Sequence, residues 1–332
     1  MKSQYEKKRL ITFDRIKIKS NYKYLLNTKV KFNEMFHSRS GKKIGIFYSS
    51  KDDINIPYNL YIAVSYIKQT LTLEFSSKIL KEKYPDLISR DTIKECLTNI
   101  NLLNICKIDI DGILSDGAIT SVDVTYDTNL ILSDNLLDVL NSQVNNYRRF
   151  KWTHYDKEGI MFTKDVKSKD CTETIILYNK EKEICTSHNK DFLNSLSQPQ
   201  SIIDYFKGKT RFELTLDTPK KIMKYLNLTD TKISSVLNSN TNPILIQFDK
   251  VFGNSTTNVP NATLDNYEEW SMKIILDSYK GDLKRLEQDI RSKFSSRSGA
   301  AKRMKKFEAV YRKMTSASTS ENIIQKIRNL LH

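Results

Sequence analysis

Two segments with the alternating pattern of a β-strand carry acidic residues. Asp123 and Asp127 lie in the alternating run at 119–127, and Glu213 lies in a similar run at 211–216. Successive side chains of a strand point to opposite faces, so Asp123 and Asp127 would share a face. Oxygen ligands without Cys or His suit Mg²⁺ or Mn²⁺ rather than zinc. The pattern predicts a divalent metal site, although an ordinary strand with one solvated face also explains each run.

A tyrosine between these two segments is a candidate nucleophile. Tyr178 ends an apolar stretch and is followed by Asn179 and the charged residues 180–183. A tyrosine hydroxyl can attack phosphorus and hold a covalent phosphotyrosyl intermediate. We expect this hydroxyl to emerge at the rim of a sheet. Tyr155 begins a near copy of the same motif and is the alternative, and with 17 tyrosines in the chain simple packing also explains either residue.

The elements that must position these residues form a mixed pattern. Helices are predicted to begin near residue 91, near 133–134, at 218–219 and near 230. Alternating apolar residues predict strands at 10–18, 43–48, 60–75, 106–110, 119–126, 159–163, 172–178, 211–216 and 244–248. The fold class is therefore α+β, with antiparallel sheets and packed helices. The strand-rich stretches 8–75 and 106–216 suggest a duplicated sheet unit, followed by a small, basic, all-helical C-terminal domain.

The positive charge of the chain is concentrated near its end. The net charge is +15, and residues 280–313 carry twelve basic residues against four acidic ones. Apolar residues at three- and four-residue steps predict two amphipathic helices joined at 295–299. A basic outer face suits phosphate contacts, although a merely solvated helical face is the alternative. The candidate DNA-binding residues are Arg285, Arg291, Arg297, Lys302, Arg303, Lys305, Lys306 and Arg312.

Other classes of protein are excluded or disfavoured by composition. The four cysteines form no CxxC pair, which disfavours a zinc site or a disulfide framework. The sequence has no uninterrupted apolar run of roughly 18 residues, as a membrane span requires. Its first residues lack the apolar core of a signal peptide. These features predict a protein of the cytoplasm.

Five motifs in order give the sequence a family resemblance. They are the segments 13–18, 73–80 and 121–127, then Tyr178-x-Lys180-x-x-Glu183, then 211–214. In this order and spacing, over about residues 8–250, the chain resembles the rolling-circle replication initiation proteins of filamentous phages and small plasmids. The resemblance implies an enzyme that nicks one DNA strand at the replication origin, stays attached to its 5′ phosphate and later rejoins the strand.

The resemblance also implies roles for individual residues. Asp123, Asp127 and Glu213 match the acidic positions expected to hold Mg²⁺ or Mn²⁺. Tyr178 would be the nucleophile, Lys180 would steady the scissile phosphate or the phenolate, and Arg211 would contact the DNA backbone. Two departures stand out: Asn179 occupies a position that is often Asp, and the four histidines include no pair flanking one apolar residue.

The implied organisation has four parts. Residues 1–105 form an N-terminal α+β region, 106–252 a catalytic nicking-joining region, 253–263 a polar linker, and 264–332 a basic helical DNA-binding region. The expected partners are origin DNA with a locally melted or hairpin nick site and the helicase and polymerase of a bacterial host cell. A homodimer would suit an enzyme that cuts at initiation and again at termination. The alternatives are a non-enzymatic origin-binding initiator or repressor, and an RNA- or membrane-surface-binding protein whose charge reflects coding bias.

Overall fold

The computed structural model describes residues 11–133, 136–137, 140, 150–155, 159–164, 173–252, 267–279, 282–293 and 296–332. The chain divides into two compact units. The first, here the sheet unit, comprises Met1–Ser133, Asn146–Val251 and Leu331–His332. The second, the helical unit, comprises Asp134–Asn145 and Phe252–Leu330. The predicted linker at 253–263 lies outside the described residues.

Twelve strands are described in the sheet unit. In chain order they are β1 Phe13–Asn21, β2 Leu25–Thr28, β3 Asn33–Phe36, β4 Lys43–Ser49, β5 Leu60–Ser65, β6 Thr70–Ser76, β7 Cys106–Ile108, β8 Ala118–Thr128, β9 Phe150–Tyr155, β10 Gly159–Lys164, β11 Thr174–Asn179 and β12 Thr210–Leu216. Ten of them form one antiparallel sheet, and β2 pairs with β7. The predicted α+β class with an antiparallel sheet is confirmed.

The order of strands in the sheet repeats one pattern twice. The order is β3-β4-β5-β6-β1-β8-β12-β11-β10-β9, with β1 and β8 side by side at the centre. After β1, the chain crosses to the outer edge and returns through β3 to β6. After β8, it crosses to the other edge and returns through β9 to β12. The connectivity matches the predicted duplication, and one sheet joins strands from residues 1–105 with strands from 106–252.

The helices, again in chain order, follow and cover these strands. They are α1 Ile93–Leu102, α2 Ile110–Asp116, α3 Lys180–Ile184, α4 Lys190–Asn194, α5 Pro199–Phe206, α6 Pro219–Leu226, α7 Ile233–Leu237, α8 Pro243–Phe252, α9 Tyr267–Ser278, α10 Leu283–Lys293 and α11 Arg297–Leu331. Short 3₁₀ segments lie at Tyr22–Tyr24, Ser50–Asp52, Ser77–Asp86 and Ser187–Asn189. None of the helices in the described part of the chain is long and apolar enough to cross a membrane.

The two faces of the sheet differ because apolar and polar residues alternate along its strands. Ile16, Val122, Val124, Phe212 and Leu214 are at most 1% exposed and lie on one face. Helix α6 packs against β8 and β12, and α8 places a ring 6.5 Å from that of Phe212. The opposite face carries the charged residues, so strand alternation separates the hydrophobic core from the candidate chemistry.

Most of the predicted helices have the expected inner faces. Helix α1 buries Ile93 and three further apolar residues that the pattern placed inside. Helix α6 begins with a proline after Thr218, whose side chain accepts a hydrogen bond from the Lys221 amide. Helix α7 buries its predicted apolar residues but begins after Lys232, and Asp230 instead accepts from the amide of Lys232. The helix predicted near 133–134 falls mostly outside the described residues. Of its predicted inner face, Leu136 and Leu140 are described, and both are buried.

Some strand predictions were wrong in identity or extent. Residues 244–248 lie in α8 rather than in a strand, since a short apolar run fits a buried helix equally well. The run at 60–75 contains two strands, β5 and β6, separated by a turn in which Gln69 has a φ of 50°. The short strands β2, β3 and β9 were not predicted at all.

The helical unit has a hydrophobic cluster of its own. It consists of Met272, Leu276, Leu286, Ile290, Ala300, Met304, Phe307 and Val310. These residues come from α9, α10 and the first part of α11. The two predicted amphipathic helices are therefore confirmed. The first ends at Lys293, and the second begins at Arg297, within the predicted joint, and continues to Leu331.

Candidate active site

The polar face at the centre of the sheet brings the predicted residues together. Asp123 lies opposite Thr215, and Arg211 lies between Asp127 on one side and Tyr178 on the other. Directly opposite residues of antiparallel strands share a face. Glu213 follows two residues after Arg211 and therefore shares that face as well. We call this surface the charged face, formed by Asp14, Arg15, Glu74, Asp123, Asp127, Tyr178, Lys180, Arg211 and Glu213.

Arg211 forms the most buried ionic contacts of the charged face. Its side chain is fully buried, and its Nε and Nη2 donate to the two carboxylate oxygens of Asp127 at 2.7 and 2.9 Å. Its Nη1 donates to Asp14 at 3.1 Å and to the Tyr84 hydroxyl at 3.0 Å. The expected contact of Arg211 with the DNA backbone does not fit this environment, because the guanidinium has no exposed surface.

Asp127 is correspondingly unsuited to bind a metal in this arrangement. Both of its oxygens accept from the same guanidinium, and its side chain is only 5% exposed. A buried arginine whose carboxylate partner turned to a cation would lose its bidentate pairing, which is costly in a desolvated site. The geometry therefore gives Asp127 a structural role and separates it from the other two predicted ligands.

Asp123 belongs to a more open ionic network. It accepts from Arg15 Nε at 2.6 Å and Nη2 at 3.0 Å, and from Thr215 Oγ1 at 2.8 Å. Arg15 also donates to Glu74 at 2.8 Å, and Lys17 lies 3.0 Å from the other oxygen of Glu74. These side chains are 12–34% exposed, so this end of the charged face is accessible to solvent.

Glu213 accepts a hydrogen bond from the hydroxyl of Tyr178. The distance from Tyr178 Oη to Glu213 Oε2 is 3.1 Å. Burial raises the pKa of Glu213 to about 7, with help from the negative charges of Asp14 and Asp123. Burial and the carboxylate of Glu213 also raise the pKa of Tyr178 well above its ordinary value. The pair thus joins a phenol to a carboxylate that changes its charge near neutral pH.

Tyr178 itself does not emerge at a rim. The residue is only 6% exposed, and its ring lies 5.7 Å from Lys180 Nζ. The alternative, Tyr155, lies in the same cross-strand row, two strands away and opposite Gly159. A Cβ on Gly159 would lie 2.7 Å from Cβ of Tyr178, so glycine is needed beside the tyrosine. The side chain of Tyr155 lies outside the described part of the chain.

Lys180 is buried where α3 begins after β11. Its Nζ pairs with Glu183, one helical turn later, and burial together with nearby Arg211 lowers the pKa of the ammonium. Asn179, which replaces the more usual acid, caps α3 by accepting a hydrogen bond from the Lys182 amide. The Tyr178-x-Lys180-x-x-Glu183 motif therefore comprises the end of β11, the N-cap of α3 and the ion pair between Lys180 and Glu183.

Asp14 was missed as a member of the site. The pairing of β1 with β8 shifts register between Phe13 and Arg15, as in a β-bulge, and both Asp14 and Arg15 contact the charged face. Burial would raise the pKa of Asp14, but Arg211 and Lys180 outweigh it and lower the pKa to about 2. Asp14 and Glu74 both lie in motifs that carried the family resemblance, which was the available signal.

The fit of these residues to a divalent metal is partial. Within the described residues, no group of three or more His, Cys, Asp or Glu side chains could hold a metal ion. Asp123 and Glu213, however, lie on adjacent strands and the same face, and their mutual repulsion contributes to the raised pKa of Glu213. Mg²⁺ is commonly held by one or two carboxylates together with substrate phosphates. Asp123 is more exposed than Asp127, but both of its oxygens also accept from one guanidinium, that of Arg15, so the pair would fit a cation only after Asp123 exchanged that partner.

Those predicted DNA-binding residues of the helical unit whose side chains are described lie on its surface. Arg291 pairs with Glu287, and Lys306 pairs with Glu268, both at 2.7 Å. The side chain of Arg297 lies outside the described residues. The other exposed members are Arg285, Lys302, Arg303, Lys305 and Arg312. Their exposure leaves them accessible to a polyanion, opposite the buried apolar cluster.

A comparison of the sequence with family models gives a match in the second half of the sheet unit. Residues 89–237 match the family Phage_CRI, whose model describes the N-terminal part of a replication-associated protein. Over this part of the chain, the match supports the predicted resemblance to rolling-circle replication initiators. The matched region includes β8, Tyr178, Lys180 and β12, and therefore the core of the charged face. No curated protein matches the sequence significantly.

The raised pKa of Glu213 predicts a pH-dependent stability. The folded protein holds this proton more tightly than the unfolded chain, so the contribution of Glu213 is complete below pH 4.5 and is lost as the pH rises to about 7. The free energy of unfolding of the wild type should therefore fall relative to Glu213→Gln across that interval, by about 3 kcal/mol. Urea unfolding in buffers with EDTA measures the difference.

A matched control for this prediction is Glu34→Gln, which removes an exposed carboxylate from an edge strand. Its stability should follow the wild type at every pH. If the free energies of unfolding of the wild type and Glu213→Gln changed in parallel with pH, the assigned titration of Glu213 would be wrong.

Proposed function

We propose that this replication initiator nicks one strand of its origin DNA with Tyr178 and later rejoins it. The observation that carries the proposal is the hydrogen bond from the Tyr178 hydroxyl to Glu213, beside Asp123, within the region that matches the replication family. A phenol needs a base to become a nucleophile near neutral pH. A carboxylate with a pKa of about 7 at 3.1 Å meets that need.

The reaction is an exchange of phosphoester bonds. Tyr178 Oη forms a bond to the phosphorus while the bond from phosphorus to the 3′ oxygen of the preceding nucleotide breaks. The phenolic proton passes to Glu213, and the leaving 3′ oxygen takes a proton from the site or from water. The number of phosphoester bonds does not change, so neither nicking nor joining requires ATP. The reverse reaction rejoins the strand.

Positive charge near the phenol supports this chemistry. Lys180 Nζ lies 5.7 Å from the Tyr178 ring, and Arg211 lies opposite Tyr178 in the sheet. Both cations favour the phenolate over the phenol and oppose the effect of burial. Mg²⁺ or Mn²⁺ held through Asp123 and the substrate phosphate would neutralise charge on the non-bridging oxygens, and Glu213 would remain the base, since a directly bound cation would lower its pKa.

Access to the phenol is a requirement of this mechanism. With 6% of its surface exposed, Tyr178 meets a phosphodiester only after its side chain or a covering segment moves. The network at Asp123 and Arg15 is open enough to receive the DNA first. We therefore expect the scissile strand to be single or melted, as in an extruded hairpin or a supercoiled origin.

A second function, origin binding without catalysis, has one observation in its favour. Tyr178 is buried and Asp127 is paired with Arg211, as in a purely structural polar core. Such a protein would mark or melt the origin through the basic helical unit alone. The two functions differ in whether a covalent DNA–protein conjugate forms.

The nucleophile is tested by Tyr178→Phe. This variant should bind origin DNA as the wild type does, since only the hydroxyl is lost, yet form no covalent conjugate. The measurement is incubation with labelled, supercoiled origin plasmid and Mg²⁺ or Mn²⁺, followed by a denaturing gel. Tyr155→Phe is the matched control and should keep the conjugate.

Two outcomes would change this assignment. A conjugate that persists in Tyr178→Phe and disappears in Tyr155→Phe moves the nucleophile to Tyr155. A wild type that binds the origin tightly and never forms a conjugate rejects the nicking enzyme in favour of the non-enzymatic initiator.

The basic helices are tested by charge removal. The variant neutralises Arg297, Lys302, Arg303, Lys305 and Lys306. If each contacts a phosphate, the slope of log affinity against log salt concentration should fall by up to about 4.5. Affinity for duplex origin DNA is measured by fluorescence anisotropy over a salt series.

A control with the same change in charge separates local contact from net charge. It neutralises five exposed lysines of the sheet unit, namely Lys31, Lys51, Lys94, Lys220 and Lys232. This control should change the affinity only slightly and should keep most of the slope of log affinity against log salt concentration. Equal effects of both variants would contradict a dedicated DNA anchor in the helical unit.

A further inference from the structure

Two aromatic rings lie on the polar face of the N-terminal half of the sheet. Phe47 on β4 and Tyr61 on β5 are both partly exposed. Their ring centroids are 6.1 Å apart, with 33° between the ring planes. Partly exposed rings on neighbouring strands are not explained by the hydrophobic core, which lies on the other face.

The strand register places these rings on the same face as the charged residues. Tyr61 lies opposite Glu74, and Glu74 lies opposite Lys17. Phe47 lies opposite Ala63 in the next cross-strand row. Because directly opposite residues share a face, Tyr61 and Lys17 point to the same side as Arg15 and Asp123.

Strand β1 adds positive charge beside the rings. Arg15, Lys17 and Lys19 alternate along it and therefore share this face. Lys19 is exposed, and the side chains of Arg15 and Lys17 are 26% and 34% exposed. Glu74 and Asp123 neutralise part of this charge, and the basic side chains of β1 still outnumber these two carboxylates.

The aromatic and basic residues are continuous with the candidate nicking site. Arg15 bonds both Glu74 and Asp123, so it links the two halves of the face. From β5 to β12 there are four strand spacings, or roughly 19 Å. A strand of nucleic acid lying across the sheet can therefore contact Tyr61 at one point and reach Glu213 at another.

We infer that Phe47 and Tyr61, with Lys17 and Lys19, form a platform for the unpaired strand of origin DNA next to the nick. Bases stack on the two rings, and phosphates contact the lysines. Stacking on a flat ring requires an unpaired base, so this platform would favour melted DNA over duplex. The inference deepens the proposed function, on which it rests, by assigning the single strand to the N-terminal half of the sheet.

Binding of single-stranded DNA to the full chain tests the platform. The probe is a labelled, mixed-sequence oligonucleotide of roughly 12 nucleotides, followed by fluorescence anisotropy with EDTA present. Tyr61→Ala and Phe47→Ala should each weaken affinity about tenfold. Tyr61→Phe keeps the ring and should bind as the wild type does. The matching duplex should bind all variants alike.

Two aromatic controls lie away from the platform. Tyr66 is 43% exposed in the turn after β5. Trp152 is 40% exposed and lies opposite Phe162, on the other face of the sheet. Tyr66→Ala and Trp152→Ala should leave affinity unchanged. A loss with Trp152→Ala and none with Tyr61→Ala would overturn the inference, as would tighter binding of the matching RNA.

A second measurement covers the case in which an alanine variant fails to fold. Wild-type protein is photo-crosslinked to a bromodeoxyuridine oligonucleotide, and the labelled peptides are identified by mass spectrometry. Crosslinks within β4 or β5 support the platform, and crosslinks confined to other segments overturn it. Neither measurement needs cleavage, so the platform can fail while Tyr178 still forms a conjugate, or hold while the conjugate is absent.

Discussion

The buried ion pair between Arg211 and Asp127 is the constraint on which the charged face depends. A fully buried guanidinium must have its donors satisfied, and here Asp127, Asp14 and Tyr84 supply the acceptors. These partners come from three separate parts of the chain. Removing one carboxylate would leave a buried charge uncompensated, which costs about 3–5 kcal/mol in comparable cases. The pair therefore fixes β1, β8 and β12 relative to one another and places Glu213 beside Tyr178.

The duplicated strand order explains how one sheet can serve two purposes. In the C-terminal half, residues of Ser77–Asp86, α3 and α5 pack around Arg211 and Lys180 and exclude water from the charges. In the N-terminal half, the equivalent face remains partly exposed and carries Phe47, Tyr61 and the lysines of β1. Desolvation raises the pKa of Glu213 in the first environment, while exposure keeps rings and ammonium groups accessible in the second. The central pair β1 and β8 joins the two.

Much of this fold follows from local pattern. Period-two alternation in 119–126 and 211–216 predicted β8 and β12 and the shared face of Asp123 and Asp127, because a strand has only two sides, whereas the pairing of β8 with β12 put Glu213 on that face. The apolar spacing of α1, α10 and α11 was equally informative. The strand predicted at 244–248 failed because a short apolar run carries no clear period. The strands β2 and β3 were missed because they are short and mostly exposed. Strand β9 was missed although it is as long as β10 and β11.

The sequence by itself determined the family resemblance, the α+β class, the alternation that gives the strands a polar face and the basic helices, since each depends on residue type and short spacing. Only the tertiary structure decided which charges neutralise one another. Arg211 and Asp127 looked like a DNA contact and a metal ligand, and they form a buried pair because strand register places them opposite each other. Asp14 joined the site through a shift of register that no local pattern encodes. Electrostatic roles depend on distance and burial, and both are set by residues far apart in the chain.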